Sequence, residues 1–559
     1  MKKIITFALG AALAFNAAAQ TWQDALLFSE NNYSGTARGV GMGNALTAIG
    51  GDAGSLVFNP AGSATASYSQ FVITPAVTLS FANTGASADN LESFKGQAIS
   101  NTYARMKLPN VGFIMNIKTG RRSGLKNVAW GVVVNSTNNF TGRYRSAGVN
   151  GDNSYAASLA SSADGFAENV LATEDWYYSG NPSRMPAWVD MTGYRSGMFN
   201  TVSGRDGAYV ALTEVIDEQG DFRLAAPVYQ QYGQQSYGYK TDAILNFALN
   251  FSDKFYLGAN LGVTSLNYYL SEFWSEAPDN PADFPTIRYS DGTSAQFESL
   301  RMNRKYRLGG TGVYFKMGAL WRPIPSLRIA AAIQTPTLLN LVERYGYSGE
   351  VKLTGRYLSN ASSPEDEWIY ALRSPFRANF GVAFTLGNRG VISADYEMAN
   401  YSQARFRSRS TDNEYGSGSF SDVNLDIKDL LGIAHQVRLG TEFKVTPELA
   451  LRAGYNLTTG AQRNYLDGNK VIPVSSQEKV AQMKHAVSLG VGYSFGSIFL
   501  DAAVRYRTSP KDYVIPYNYY YAPDPSQFYN KVVDDEIVTP ELVVKNQFVD
   551  ILLTLGWRF

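Results

Sequence analysis

From Gln70 onward the chain repeats one pattern: apolar side chains at every second position, with Gly, Ser, Asn and a few Arg between them. One run reads Ala243, Leu245, Phe247, Leu249, Phe251, with Asn246, Ala248 and Asn250 in between. The next is Phe255, Leu257, Ala259, Leu261, Val263; later come Val437, Leu439, Phe443, Val445, then Leu449, Leu451, Ala453, Tyr455, Leu457, then Val487, Leu489, Val491, Tyr493, Phe495. A period of two is that of a strand with one apolar face. In a soluble sandwich the second face is rich in Lys, Glu and Thr; here it is small and uncharged for the most part. Many of these runs exceed the roughly 9–11 residues a tilted strand needs to cross a bilayer. About fourteen such segments follow one another. The expected fold is all-β: a transmembrane antiparallel barrel of about fourteen strands, lipid outside and a polar or filled lumen inside.

The links between segments separate into two kinds. Short ones stand at Ser252-Asp253, Arg322–Pro325, Gly387–Arg389, Thr446-Pro447 and Gly496-Ser497. Long ones span 82–103, 146–237, 275–295, 347–367, 407–429, 467–479 and 508–543. Short turns at one end and long loops at the other are what an outer-membrane barrel requires, and a sandwich has no reason to sort its loops this way. The abundance of Tyr (36) and Phe (30) fits aromatic girdles at the two membrane interfaces. Val549, Ile551, Leu553, Leu555, Trp557 and Phe559 fall on one face of a closing strand, and Trp557 with the terminal Phe559 resembles the signal read by the barrel-assembly machinery.

Residues 1–19 read as a signal peptide: Lys2 and Lys3, an apolar stretch from Ile4 to Phe15, then Ala17-Ala18-Ala19. There is no cysteine for a disulfide, lipid anchor or thiolate metal site. With 49 basic against 48 acidic residues there is no electrostatic case for nucleic acid. No catalytic residue, metal ligand set or cofactor is assigned. His435 and His485 lie by parity on outward faces near strand ends, and each is followed two residues later by valine, not by the serine of a lipid hydrolase. The acidic run Asp534-Asp535-Glu536 lacks the spacing of a calcium loop and reads as a solvated loop charge. Tyr517, Tyr519, Tyr520 and Tyr521 either pack on one another or touch ligand or lipopolysaccharide.

Residues 20–66 differ from everything that follows. The stretch from Tyr33 to Ala61 is too interrupted by glycine for a long helix and lacks strand alternation. Its length suits a plug for a fourteen-stranded lumen, giving three parts: signal 1–19, plug or hatch 20–66, barrel 67–559 with its longest loop at 146–237. Ala37-Arg-Gly-Val-Gly-Met-Gly43 followed by Asp52-Ala-Gly-Ser-Leu-Val-Phe-Asn-Pro-Ala61 resembles the hatch of the long-chain fatty acid transporter family (FadL/TodX/OmpP1). The resemblance implies a monomeric outer-membrane channel that takes up hydrophobic compounds such as long-chain fatty acids passively. Extracellular loops capture the molecule, a lumen pocket holds it, and it leaves sideways through the wall. It implies hatch or gating roles for Gly39, Gly41, Gly43, Asp52, Phe58, Asn59, Pro60 and Ala61. Asn59-Pro60-Ala61 is expected to set a rigid turn, and the three glycines to let the backbone run close to the wall. The plain alternative is that these residues only let the plug pack.

The loop at 146–237 is unusually long for that family. Tyr155, Leu159, Ala163, Phe166 and Val170 recur at helical spacing, and Trp176, Tyr177, Tyr178 and Trp188 follow. Leu159, Phe166, Trp176 and Trp188 are candidates for a first hydrophobic docking surface; the other reading is a self-packed lid. In the third strand the run Asn135-Ser-Thr-Asn-Asn139 breaks the alternation, as a bulge, an opening or a strand end would. Two other functions stay open: a structural or adhesive barrel binding an external partner through its loops, and a general porin.

Overall fold

The computed structural model describes residues 20–86, 95–177, 186–218, 220–288, 291–409, 420–467, 470–517, 519–520, 536–537 and 539–559. The expected leader, Tyr178, Tyr521 and Asp534-Asp535 lie outside the described residues. The sheet is a closed ring of fourteen antiparallel strands. In chain order these are β1 (Gln70–Ala86), β2 (Ile99–Lys118), β3 (Leu125–Asn139, resumed as Gly142–Asn150), β4 (Val228–Phe251) and β5 (Phe255–Pro278). Next come β6 (Phe297–Ile324), β7 (Leu327–Gln334 and Leu338–Leu353), β8 (Asp366–Arg373 and Arg377–Leu386) and β9 (Gly390–Asn400 and Arg405–Ser408). The ring ends with β10 (Ile433–Lys444), β11 (Leu449–Thr458), β12 (Lys484–Phe495), β13 (Ile498–Val514) and β14 (Leu542–Arg558). β1 closes it, pairing with β2 on one side (Gln70↔Ile114) and with β14 on the other (Gln70↔Arg558).

The alternation decides which side chain meets lipid. Along β4, Leu245 and Phe247 are 55% and 52% exposed, whereas Ile244 and Asn246, which alternate with them, are each 1% exposed. An outward band of exposed Leu, Val, Ile and Phe on a closed sheet has no aqueous partner to bury it, so this barrel spans a membrane. Trp557 and Phe559 belong to that band, and the Phe559 backbone pairs with Ser69 at 3.0 Å in both directions. Four of the five expected short turns stand where the alternation puts them; the fifth, expected at Arg322–Pro325, closes at Pro325-Ser326 because β6 runs on to Ile324, which pairs with Leu327. At Ser252-Asp253 both residues have positive φ (57° and 56°), and Lys254 N–H bonds the Phe251 carbonyl at 3.1 Å; this is the two-residue turn whose twist matches a hairpin.

The strands run further on the long-loop side than alternation alone indicates. β3 and β4 remain paired out to Asn150↔Val228, so the longest connection is 151–227 rather than 146–237. The segment that hid this, Gln230 to Gln235, is polar on both faces because it stands clear of the bilayer. Three adjacent strands break at one level, β7 around Pro336, β8 around Pro375 and β9 at Tyr401–Gln403; at the first two, a proline offers no N–H to the ladder.

The described residues of 151–227 fold into a cap whose core is shared with Phe297, Leu300 and Met302 of β6 and Val351 and Leu353 of β7. It holds helices Tyr155–Ala163, Glu168–Ala172 and Trp188–Arg195 and two small hairpins, Phe199–Val202 with Arg205–Ala211 and Glu214–Ile216 with Phe222–Leu224. The expected single stripe is divided. The first helix ends at Ala163, and Gly165 takes φ +86°, so Phe166 falls in the link and Val170 on the second helix. Leu159 (4% exposed) and Trp176 (9%) are buried with Met191, Phe199 and Tyr209, and Phe166 and Trp188 pack against that cluster. These residues hold the cap together; Leu159 and Trp176 do not form an outward docking face.

Candidate functional site

The N-terminal residues lie among the inward-facing side chains, and the sequence dictates how they enter. Thr21 and Asp24 form a reciprocal cap (Thr21 N to Asp24 Oδ2, 2.9 Å) that starts a helix at Trp22–Ser29. Its far end is met by cations from the wall. Lys240 Nζ donates to the carbonyls of Phe28 (3.1 Å) and Glu30 (2.6 Å), and Arg377 donates to that of Ser29 (2.7 Å). Positive charge at a helix C-terminus satisfies the orphan carbonyls and the macrodipole together. The apolar face of the helix, Ala25 and Phe28, sits in a chamber of Tyr268, Tyr306, Leu308, Leu339, Leu341 and Leu372. Trp188 of the cap joins that chamber to the cap core, with its ring 6.0 Å from Tyr345 on β7.

The chain next crosses the broken third strand. Asn32 N–H bonds the Thr137 carbonyl (2.7 Å), Ser34 N–H bonds that of Ser136 (3.0 Å), and Asn135 Nδ2 reaches the Ser34 carbonyl (2.9 Å). The polar run in β3 is therefore the place where the wall's backbone turns to the N-terminal chain. The ladder between β2 and β3 runs from Lys118↔Asn127 to Asn110↔Asn135. Among the described residues, Ile99–Pro109 continue against β1 without a β3 partner in that ladder. Beside this lapse is a cavity of about 430 Å³ reaching from Leu27 and Asn31 past Asn139 and Phe140 to Lys484 and Arg507.

From Thr36 to Thr65 the segment fits the wall at contacts that only small wall residues allow. Asn59 caps a 3₁₀ turn, Pro60–Thr65, by accepting from Ala61 N–H (3.1 Å), while its Nδ2 donates to the Thr47 carbonyl (2.9 Å) and to that of Ala319 on β6 (3.1 Å). This turn rests on Gly258 and Gly318, which face each other across β5 and β6; a Cβ on either would overlap Asn59, Pro60 or Ala61. Met42-Gly43 rests in the same way on the paired Gly440 and Gly454 of β10 and β11. Gly41 lies against Gly490, whereas Gly39 packs inside the segment against Leu46. Asp52 caps the turn Ala53–Val57 through Gly54 N–H (2.7 Å) and takes the Thr36 hydroxyl (2.8 Å). Phe58 is edge-on to Tyr33, ring centres 4.9 Å apart, beneath the Arg438 guanidinium at 4.6 Å.

A polar layer links segment and wall, built from residues outside the candidate set. Arg38 meets Glu442 through two bonds (2.8 and 3.0 Å); Glu442 also takes Arg452, which reaches Asp501 at 2.6 Å. Glu397 takes Arg438, Arg377 (3.0 Å), Asn379 (3.0 Å) and the Tyr33 hydroxyl (3.1 Å). Lys316 Nζ caps the Val57 carbonyl at 2.5 Å. The signal was available: Arg438, Glu442 and Arg452 all occupy inward parity in strands of a lipid-facing sheet. His435 and His485 face outward, each on a tyrosine of the preceding strand (Tyr396 Oη, 2.6 Å; Tyr455 Oη, 2.8 Å).

No family model matches the sequence, and no curated protein matches it. Among solved structures, the toluene transporter TodX of P. putida aligns with a TM-score of 0.48 at 12% identity, over 95% of this chain and 99% of that one. A FadL homologue of Pseudomonas aeruginosa aligns at 0.48 and 11% identity over 95% and 99%, and the toluene transporter TbuX of Ralstonia pickettii at 0.43 and 11% over 95% and 100%. Likenesses this distant carry no function across.

The cap is expected to respond to pH. Burial among apolar neighbours raises the Asp190 carboxyl to about 7, while the Ser162 hydroxyl, donating at 2.9 Å, and the Ala187 backbone act the other way. Burial likewise lifts Asp164 to about 7, against the Tyr209 N–H (3.0 Å) and with the Glu214 charge adding to the rise. A carboxyl raised in the folded cap holds a proton that the unfolded chain releases at its ordinary value near 3.8. Cap stability is therefore full at low pH and falls as pH rises towards 7. Cleavage within 151–227 by a pH-tolerant protease should slow between pH 8 and pH 5, and Asp190→Asn should flatten that dependence. An unaltered pH profile in the variant would contradict this.

Proposed function

We propose that this chain is a channel of the bacterial outer membrane for passive uptake of hydrophobic compounds such as long-chain fatty acids. The observation that supports it most is the apolar chamber enclosed by β5 to β8, filled by the helix Trp22–Ser29 and standing above a lumen packed with residues 36–65. A fatty acid crossing an open aqueous pore exposes its tail at about 0.8 kcal/mol per CH₂. An apolar chamber above a stopper avoids that exposure once the helix Trp22–Ser29 gives up its place to the cargo, provided the cargo leaves by the side. The lapse between β2 and β3, with its adjoining cavity, is the exit in this reading. Residues 20–66 act as the hatch, with Gly43, Asp52, Phe58, Asn59, Pro60 and Ala61 holding it closed. Capture begins at the cap, where Phe166 and Trp188 remain partly accessible. The working unit is a monomer, assembled through the Trp557/Phe559 end and set in lipid and lipopolysaccharide.

In a strain lacking the gene, uptake of labelled oleate should fall several-fold and return with the wild-type copy. A disulfide introduced between hatch and wall by the paired substitutions Ser63→Cys and Asn246→Cys, whose native side chains meet at 2.6 Å, should block uptake until reduced. Undiminished uptake in the deletion strain would end the reading.

A further inference from the structure

The short-turn end of the barrel carries a ring of cations without local partners. Arg121 and Arg122 project from the β2–β3 turn, Lys254 from β4–β5, Arg389 from β8–β9 and Lys444 from β10–β11, all exposed. Among the described residues none of the five is in an ion pair. Of the two acids on this rim, Asp253 is paired with Lys126, and Glu448 accepts from the Thr446 hydroxyl and keeps its charge, so the cations outnumber the free carboxylate five to one. The opposite end has the reverse balance: residues 151–227 hold eleven acids against four bases. A chain whose overall charge is +1 has thus sorted its charge by end.

The ring also has a fixed height. Three of the strands carrying it end in an outward apolar residue one to three positions away: Phe255 beside Lys254, Leu386 before Arg389, and Phe443 beside Lys444, which itself has inward parity and reaches the headgroups by turning its long stem round the strand end. These belong to the lipid-facing band, so the cations stand where the acyl region gives way to headgroups. Five unpaired long cations there attract negative surface charge and have stems long enough to follow it.

We propose that this ring is a docking surface for anionic phospholipid headgroups in the leaflet at the short-turn end, holding a shell of phosphatidylglycerol-like lipid around the barrel. A soluble acidic partner would not require the cations to keep to the edge of the apolar band at three separate turns, whereas a leaflet does. The assignment depends only on the barrel crossing a bilayer and stands apart from the uptake reading.

The full chain is reconstituted in vesicles of equimolar phosphatidylethanolamine and phosphatidylglycerol, extracted in mild detergent, and its retained lipids are counted by native mass spectrometry. Phosphatidylglycerol should be retained at least fivefold over phosphatidylethanolamine at low salt. That ratio should approach one in the variant R121Q/R122Q/K254Q/R389Q/K444Q, with folding checked by heat-modifiable mobility. If the variant does not fold, the salt series decides: near 1 M salt, where screening acts within about 3 Å, the wild-type preference should vanish. Equal retention by the wild type, or a preference that survives the five substitutions, overturns the proposal. So does wild-type binding to purified peptidoglycan without lipid preference, which would make the wall polymer the partner.

Discussion

Gly258→Leu with Gly454→Leu will convert the barrel into an ion-conducting pore. The two glycines lie on β5 and β11, six strands apart in the ring, and each supports backbone of the N-terminal segment. A Cβ on Gly454 overlaps the Gly43 amide nitrogen and the Met42 carbonyl carbon; one on Gly258 overlaps the Pro60 carbonyl group and the Ala61 nitrogen. Backbone cannot swing aside as a long side chain can, so the segment must lift from the wall on both sides. Gly43 has φ +61°, so its own turn resists adjustment by any other residue type. In planar bilayers the wild type should pass almost no current. Deletion of residues 20–66 should give a stable open conductance, and the double variant should approach that value. Folded double-variant protein that stays silent would mean the segment tolerates the intrusion or does not seal the lumen.

The wall was legible in the sequence because its rule is local. A strand with lipid on one side repeats every two residues whatever its neighbours do, and Leu245–Phe251 or Val487–Phe495 show it without tertiary information. The same rule hid strand ends wherever the barrel rises out of the bilayer. Gln230–Gln235 lie in β4 yet face water or other loops on both sides, so no apolar period marks them. The cap shows a related limit. Helical spacing from Tyr155 to Val170 is real in Tyr155, Leu159 and Ala163, but a stripe does not say what it faces, and here it faces a core shared by the cap and the strand ends beneath it.

The segment's contacts were half legible. The glycines of β5, β10 and β11 were visible as a small-residue inward face, and Asn59-Pro60 as a turn. Which turn meets which glycine pair depends on register across the whole ring, which periodicity does not carry. The polar run 135–139 was visible as an irregularity; its cause, bonding to Asn32 and Ser34, lies about a hundred residues away.

Glu397→Gln will be among the most destabilising single substitutions in the barrel. Glu397 is 3% exposed and accepts from two guanidinium groups, Arg438 (fully buried) and Arg377, with the Tyr33 hydroxyl and Asn379 completing its shell. Glutamine keeps the shape and removes the charge. Two arginines are then left facing each other with no carboxylate between them, and leaving buried charge uncompensated costs about 3–5 kcal/mol. Arg438→Met should cost less, because Glu397 retains Arg377 and methionine keeps contact with Phe58. In the double variant Glu397→Gln/Arg438→Met, part of the loss should return, since one orphaned cation goes with the carboxylate. The check is the urea midpoint of unfolding from lipid vesicles, or the temperature at which the heat-modifiable band shifts. If Glu397→Gln melts with the wild type, the Arg438–Glu397–Arg377 cluster does not hold the segment to the wall, and the seal rests on the glycine contacts alone.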